Sequence, residues 1–222
     1  GINPEHNKIT LDKNASPVSF LKFMDTYGKG KNSFMTYGLN LGWSYDTRDS
    51  RLMPSRGQFH RVLGDVVPFG DLKYYHLSYQ YQQFIPLGKR FTLALNTELD
   101  YGKGLSGSVY PFYSNLYAGG LGSVRGFDQG TLGERDITGA FIGGPKKVGF
   151  STELLAPFPG AGNDRTLRVF GFFDVGNVYG ENETVELNKM RASVGVGLSW
   201  ISPVGPLRLA YANPVRKYAG DR

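Results

Sequence analysis

The chain is 222 residues long and carries 31 glycines, 15 phenylalanines, 14 tyrosines and no cysteine, a composition that suits short aromatic strands and tight turns rather than a helical bundle and rules out a disulfide framework, a thiolate metal site and a cysteine nucleophile. Its formal charge of +6 comes from 25 Lys and Arg scattered among 19 acids, not from the single basic stripe of a nucleic-acid-binding face. No run approaches the roughly 18 apolar residues of a spanning helix, so any passage through a membrane would be made by strands.

In chain order, residues 1–32 read as an outer loop carrying a short helix. Ser16 is placed to cap it and Pro17 to start it, with Phe20, Phe23, Met24 and Tyr27 at helical spacing before Gly28. Strands follow over 33–102. From Met35 to Asp46, Met35, Tyr37, Leu39, Leu41, Trp43 and Tyr45 alternate with Thr36, Gly38, Asn40, Gly42 and Ser44. A strand at about 57–67 carries charge on both faces. Leu72 to Phe84 sets Tyr75, Leu77, Tyr79 and Tyr81 against His76, Ser78, Gln80 and Gln82. Phe91 to Gly102 sets Phe91, Leu93, Leu95, Leu99 and Tyr101 against Thr92, Ala94, Asn96, Glu98 and Asp100.

A long loop over 103–146 separates these strands from a second group over 147–222, with strands at about 147–157, 167–179, 191–200 and 205–213. That makes eight strands, with one oily and one polar face in all but the strand at about 57–67. Connections alternate in length, Ile85 to Arg90 and Ser202 to Pro206 being short and 103–146 and 180–190 long, as in barrels with short periplasmic turns and long outer loops. A soluble sandwich would bury the oily face. It gives no reason for Trp and Tyr near strand ends, nor for Gly, Ser, Asn and Gln at nearly every inward position. The expected fold is all-β, a transmembrane antiparallel up-and-down β-barrel with a long lumenal loop.

The most distinctive stretch, Tyr117-Ala118-Gly119-Gly120-Leu121-Gly122-Ser123-Val124-Arg125-Gly126-Phe127, lies inside the long loop. Its glycines at 119, 120, 122 and 126 suit close packing against a wall and positive φ. The Val124-Arg125-Gly126-Phe127 tetrapeptide resembles the loop signature of the outer-membrane insertase and two-partner-secretion transporter superfamily. Trp43-Ser44-Tyr45-Asp46-Thr47-Arg48-Asp49 with Pro54 and Gly57, Phe172-Phe173-Asp174-Val175-Gly176-Asn177-Val178 and Ser202-Pro203-Val204-Gly205-Pro206-Leu207-Arg208 resemble its β-barrel assembly factors in particular. The resemblance covers essentially the whole chain.

The resemblance implies that the loop folds into the lumen and that Arg125 pairs with acids on the next two strands, which match Glu153 and Asp174. The alternation allows this independently: Glu153 is in phase with Gly149 and Ser151, and Asp174 with Gly176, opposite Phe150 and Val175. Arginine suits the role because its planar fork can bridge two carboxylates and stays charged where water is scarce. The implied function is folding and insertion of β-barrel proteins into the bacterial outer membrane. The implied partners are unfolded outer-membrane proteins, accessory lipoproteins of an assembly complex and outer-membrane lipid. The alternatives are a TamA-like insertase or two-partner-secretion transporter of the same superfamily, and a passive porin-like barrel.

Nothing in the sequence asks for a cofactor, a metal or covalent catalysis. His6, His60 and His76 stand apart without paired ligand spacing, and His76 reads as a lumenal residue. Gly102 to Gly107 matches a G-x-G-x-x-G string, but Tyr110-Pro111-Phe112 follows where a dinucleotide site needs a helix. Members of the superfamily resemble one another in carrying POTRA domains before a barrel of about sixteen strands, an even number within the range such barrels adopt. On that pattern the chain is expected to hold strands eight to fifteen of a larger barrel, without its first and last, and an open sheet of this kind is not expected to insert alone because its edges would lie unpaired in lipid.

Overall fold

The computed structural model describes residues 1–160 and 166–221. Nine antiparallel strands form one sheet in chain order, β1 (Ile2–Lys8), β2 (Ser33–Asp46), β3 (Gly57–Gly70), β4 (Tyr74–Leu87), β5 (Phe91–Gly104), β6 (Lys146–Pro157), β7 (Leu167–Tyr179), β8 (Arg191–Ser202) and β9 (Gly205–Arg216). Each strand pairs with its sequence neighbours, and β1 and β9 are the two edges. This is the up-and-down order of a barrel wall.

The register gives every strand two chemically distinct faces. On one side Leu41 and Trp43 of β2 are 81% and 58% exposed, and Leu99, Phe150, Phe173, Val196, Leu209 and Tyr211 continue this oily surface across the sheet. In water such an area would be very unfavourable, whereas lipid is its natural solvent. The other face is polar; the long loop between β5 and β6 covers part of it, while Asn40, Gly42 and Ser44 of β2 and Arg61 of β3 stay exposed.

Several expectations need correcting. The first 32 residues are not only a loop with a helix: β1 pairs with β2 from Ile2↔Leu39 to Lys8↔Ser33, so the described residues hold nine strands rather than eight. In β3, charge does not fall on both faces. Arg61 lies opposite Gln80 and Asp65 opposite His76, both inward, and only the imidazole of His60 joins the outer face beside Tyr79 and Tyr81.

Connection length does not alternate strictly either. The outer link between β3 and β4 is a tight turn at 71–73, while the link between β2 and β3 on the opposite rim runs through 47–56. That longer link is held by Asp49, whose carboxylate accepts hydrogen bonds from the Ser55 and Arg56 amides and the Ser55 hydroxyl.

The helix, α1 (Val18–Gly28), forms where the aromatic spacing places it, but Ser16 does not cap it. Pro17 occupies the cap position without a side-chain bond, and the Val18 amide instead donates to Asp136 Oδ2 of the long loop at 2.7 Å. The distant carboxylate satisfies an end amide that the local sequence leaves open. Rather than projecting outward as an insert, α1 lays Phe20 on Phe112 (4.3 Å between centroids) and Phe23 against Phe34 (6.0 Å). Phe34, Val67, Leu72, Tyr74 and Tyr110 are buried beneath them. Helix and long loop therefore form one plug over the outer end of the inner face.

Candidate functional site

The long loop crosses the inner face over β6 to β9 and is pinned there by Arg125, which is only 6% exposed. The Arg125 guanidinium donates through Nε to Asp174 Oδ2 and through Nη2 to Asp174 Oδ1, both at 2.7 Å, and its backbone amide donates to Oδ2 at 3.1 Å. Arg125 Nη1 lies 2.7 Å from Glu153 Oε1. Nη2 also reaches Ser151 Oγ at 3.1 Å, and that hydroxyl in turn donates to Asp174 Oδ1 at 2.7 Å.

The strand register explains this convergence. Ser151 faces Asp174 directly and Glu153 faces Phe172, so all four side chains project from the inner face of adjacent strands. Burial opposes the charge on Arg125, but hydrogen bonding to Asp174 and the fields of both carboxylates more than offset it, and its pKa stands above the ordinary arginine value. Fork-shaped, bidentate pairing of this kind is among the stronger polar contacts available to a protein.

The guanidinium is also stacked. It lies 3.5 Å above the centroid of the Phe172 ring, a cation-π arrangement that gains when water is excluded. Phe172 lies flat because Gly195 faces it from β8; any side chain at 195 would collide with the ring and with the Tyr211 carbonyl. Phe170 and Gly197 repeat the arrangement two residues further along. Thus two glycines form the floor, two phenylalanines the pavement, and Arg125 rests on top.

The rest of the tetrapeptide seats the loop. Val124 is 1% exposed and packs with Ala118, Phe127, Leu132 and Val178, with Gly176 below it leaving no room for a Cβ, since one would sit 2.9 Å from Val124 Cγ2. Gly126 has φ +91°, and its Cα passes over β9 so closely that a Cβ would lie 3.2 Å from Ala212 Cβ. Gly119 and Gly120 also have positive φ, with Asp128 and Gln129 close behind. Gly122 has no positive φ, and a Cβ there would meet nothing within 4 Å, so the shape role expected for it does not hold.

All three charged residues expected at the site, Arg125, Glu153 and Asp174, therefore meet. Sequence reasoning assigned no role to Ser151, Phe172 or Arg208. Arg208 Nη2 contacts both oxygens of Glu153 at 2.5 Å, and its guanidinium lies 4.3 Å from the Phe170 centroid. The signal was the alternation itself, which places Arg208 on the same face as Ala210 and Ala212. His76 does face inward, between Asp65 at 3.8 Å and Asp100 at 3.3 Å.

This geometry can be set beside known proteins. The chain is 35% identical over its full length to the outer membrane protein assembly factor BamA of Neisseria meningitidis serogroup B, covering 32% of that protein. It is 29% identical over 77% of its length to BamA of Nitratidesulfovibrio vulgaris, covering 22% of that protein. The chain thus spans about a third or less of the curated relatives it matches. A crystal structure of BamA from Haemophilus ducreyi lacking POTRA domains 1–3 superposes with a TM-score of 0.86 at 28% identity, over 99% of this chain and 48% of that one. With residues 1–222 matched by the model of the Omp85 superfamily domain, and a barrel wall whose inner face holds the docked loop, the chain belongs to the Omp85 superfamily.

Proposed function

We propose that the protein containing this chain folds and inserts β-barrel proteins into the bacterial outer membrane, and that the docked loop is part of the working form. The observation that carries the reading is the seating of Val124 to Phe127, with Arg125 closed on Glu153 and Asp174. It occurs in a wall similar to those of proteins named as outer membrane protein assembly factors.

The reading needs no bond-making chemistry. The client's folding free energy in lipid drives insertion, and the protein's part is to offer a pathway by which strands pair before their backbone groups meet hydrocarbon. The partners are unfolded outer-membrane proteins, outer-membrane lipid and accessory lipoproteins of an assembly complex, and the protein works without a cofactor. The docked loop would serve by holding the inner face in one shape, since Arg125 ties it at once to Glu153 of β6 and Asp174 of β7.

The test uses the full-length protein in lipid vesicles, following the folding of an urea-unfolded outer-membrane barrel added from outside. The expected result is faster folding than in empty vesicles of the same lipid, with no nucleotide present. Equal rates in the two preparations would overturn the reading.

A further inference from the structure

Glu153 is held by two arginines that arrive from opposite directions. Arg125 comes from the loop and reaches Oε1 at 2.7 Å. Arg208 comes from β9 and engages both oxygens, although Glu153 lies on β6 and two whole strands, β7 and β8, intervene. The span is possible because β8 contributes only small residues to that part of the inner face, Ser199 opposite Arg208 and Gly197 and Gly195 opposite Phe170 and Phe172. Arg208 lies along the Phe170 ring and reaches over it to the carboxylate.

Without Arg208, Glu153 would be a flexible side chain with one partner, free to turn its second oxygen away at little cost. The two-oxygen grip removes that freedom and leaves Oε1 facing Arg125. The loop also meets β9 and its continuation elsewhere. Gly126 lies against Ala212 and Pro214, where the β8–β9 register shifts between Ala192 and Ser193. Arg135 donates to the Gly220 carbonyl just beyond β9.

We propose that Arg208 is a positioning residue that orients Glu153 for Arg125, so that docking of the lumenal loop depends on where β9 sits. The consequence for assembly rests on the function proposed above; the docking claim itself does not. Displacement of β9 withdraws Arg208, loosens Glu153 and removes one of the two carboxylates that hold Arg125. Arg125 then keeps Asp174 as its one firmly held carboxylate.

The experiment measures loop position in the full-length protein in lipid vesicles. This chain has no cysteine, so in a full-length background cleared of any cysteine outside it, nitroxide labels can be placed through Leu121→Cys on the loop and Phe150→Cys on the outer face of β6. A second pair, Leu99→Cys and Val196→Cys, reports the wall alone. Arg208→Ala is expected to add a second, broader Leu121–Phe150 distance, raising the undocked-to-docked ratio about fivefold, as suits a half-exposed ion pair. The wall pair should be unchanged, and Arg208→Lys should restore most of the narrow distance. Arg208→Gln, which keeps the stem over Phe170 while removing the charge, serves if the alanine variant folds poorly and should behave like it. Parent-like loop distances in both Arg208→Ala and Arg208→Gln would overturn the proposal, as would loop broadening accompanied by equal broadening of the wall pair. A released loop with undiminished client folding would support the positioning role while refuting the part assigned to the docked loop in assembly.

Discussion

Replacing Arg125 with alanine removes the ion pairs that hold the loop to Glu153 of β6 and Asp174 of β7, leaving the apolar packing of Val124 against Val178. The loss falls unevenly on the two acids. Glu153 keeps Arg208, whereas Asp174, at 0% exposure, keeps only the Ser151 hydroxyl and the residue 125 amide. Removing one partner of a buried ion pair costs about 3–5 kcal/mol, and because only one carboxylate is left bare the lower end applies. A loss of about 3 kcal/mol corresponds to about 150-fold in the opening equilibrium.

Hydrogen exchange in the full-length protein reads this directly at amides bonded within the loop, where Leu116 and Gly144 bond each other and Leu132 donates to Ala118. Their exchange should accelerate by about that factor while amides in β4 and β5 keep their rates, because opening is local. In the Arg125→Ala, Asp174→Asn double variant the acceleration should be smaller than the product of the single effects, since the uncompensated charge is gone. Loop amides exchanging within about twofold of parent in Arg125→Ala would refute the reasoning.

Further outcomes follow from the same geometry. Gly195→Ala should destabilise the site by about 2 kcal/mol through the collision with Phe172, seen as faster loop exchange, while Gly122→Ala, with open space around it, should leave exchange unchanged. Asp136→Ala should weaken α1 by about 1 kcal/mol through loss of the bond to the Val18 amide, with faster exchange in the first turn of the helix and at the Thr138 and Ala140 amides, which also donate to this carboxylate. Glu134 lies in the long loop with more than a third of its surface exposed, yet partial desolvation of its carboxyl together with the charge of Glu183 raises its pKa above the ordinary 4.5. A raised carboxyl pKa contributes stability below the unfolded value that is lost as pH rises through the folded one. Glu134→Gln should therefore slow loop exchange at neutral pH, after correction for intrinsic rates, with the gain vanishing below about pH 4.5; a gain of equal size at low pH would contradict the assignment.

The strands legible in the sequence are those whose two faces differ most. β5 carries Leu93, Leu95 and Leu99 against Ala94, Asn96 and Glu98, and its start at Phe91 is read correctly because the Gly88 turn precedes it. β1 was hidden because its outward residues, Ile2, Pro4 and His6, lack a consistent oily face; backbone pairing with β2 makes it a strand. The inward direction of Glu153 and Asp174 follows from period-two alternation, and their pairing with Arg125 came from resemblance to the superfamily.

Other features were not legible because their partners are remote. Asp136 caps α1 across a separation of 118 residues, and Arg208 meets Glu153 across a separation of 55. Alternation gives the face on which such a side chain lies but not its partner several strands away. The flat seating of Phe172 is invisible until the register places Gly195 opposite it.

The most direct test of the central claim pairs loop release with client folding in one preparation. Arg125→Glu in the full-length protein, reconstituted in lipid vesicles, places a third carboxylate beside Glu153 and Asp174. The account predicts that loop exchange accelerates and that folding of the added client barrel falls towards the rate in empty vesicles. A released loop with client folding at the parent rate would contradict it.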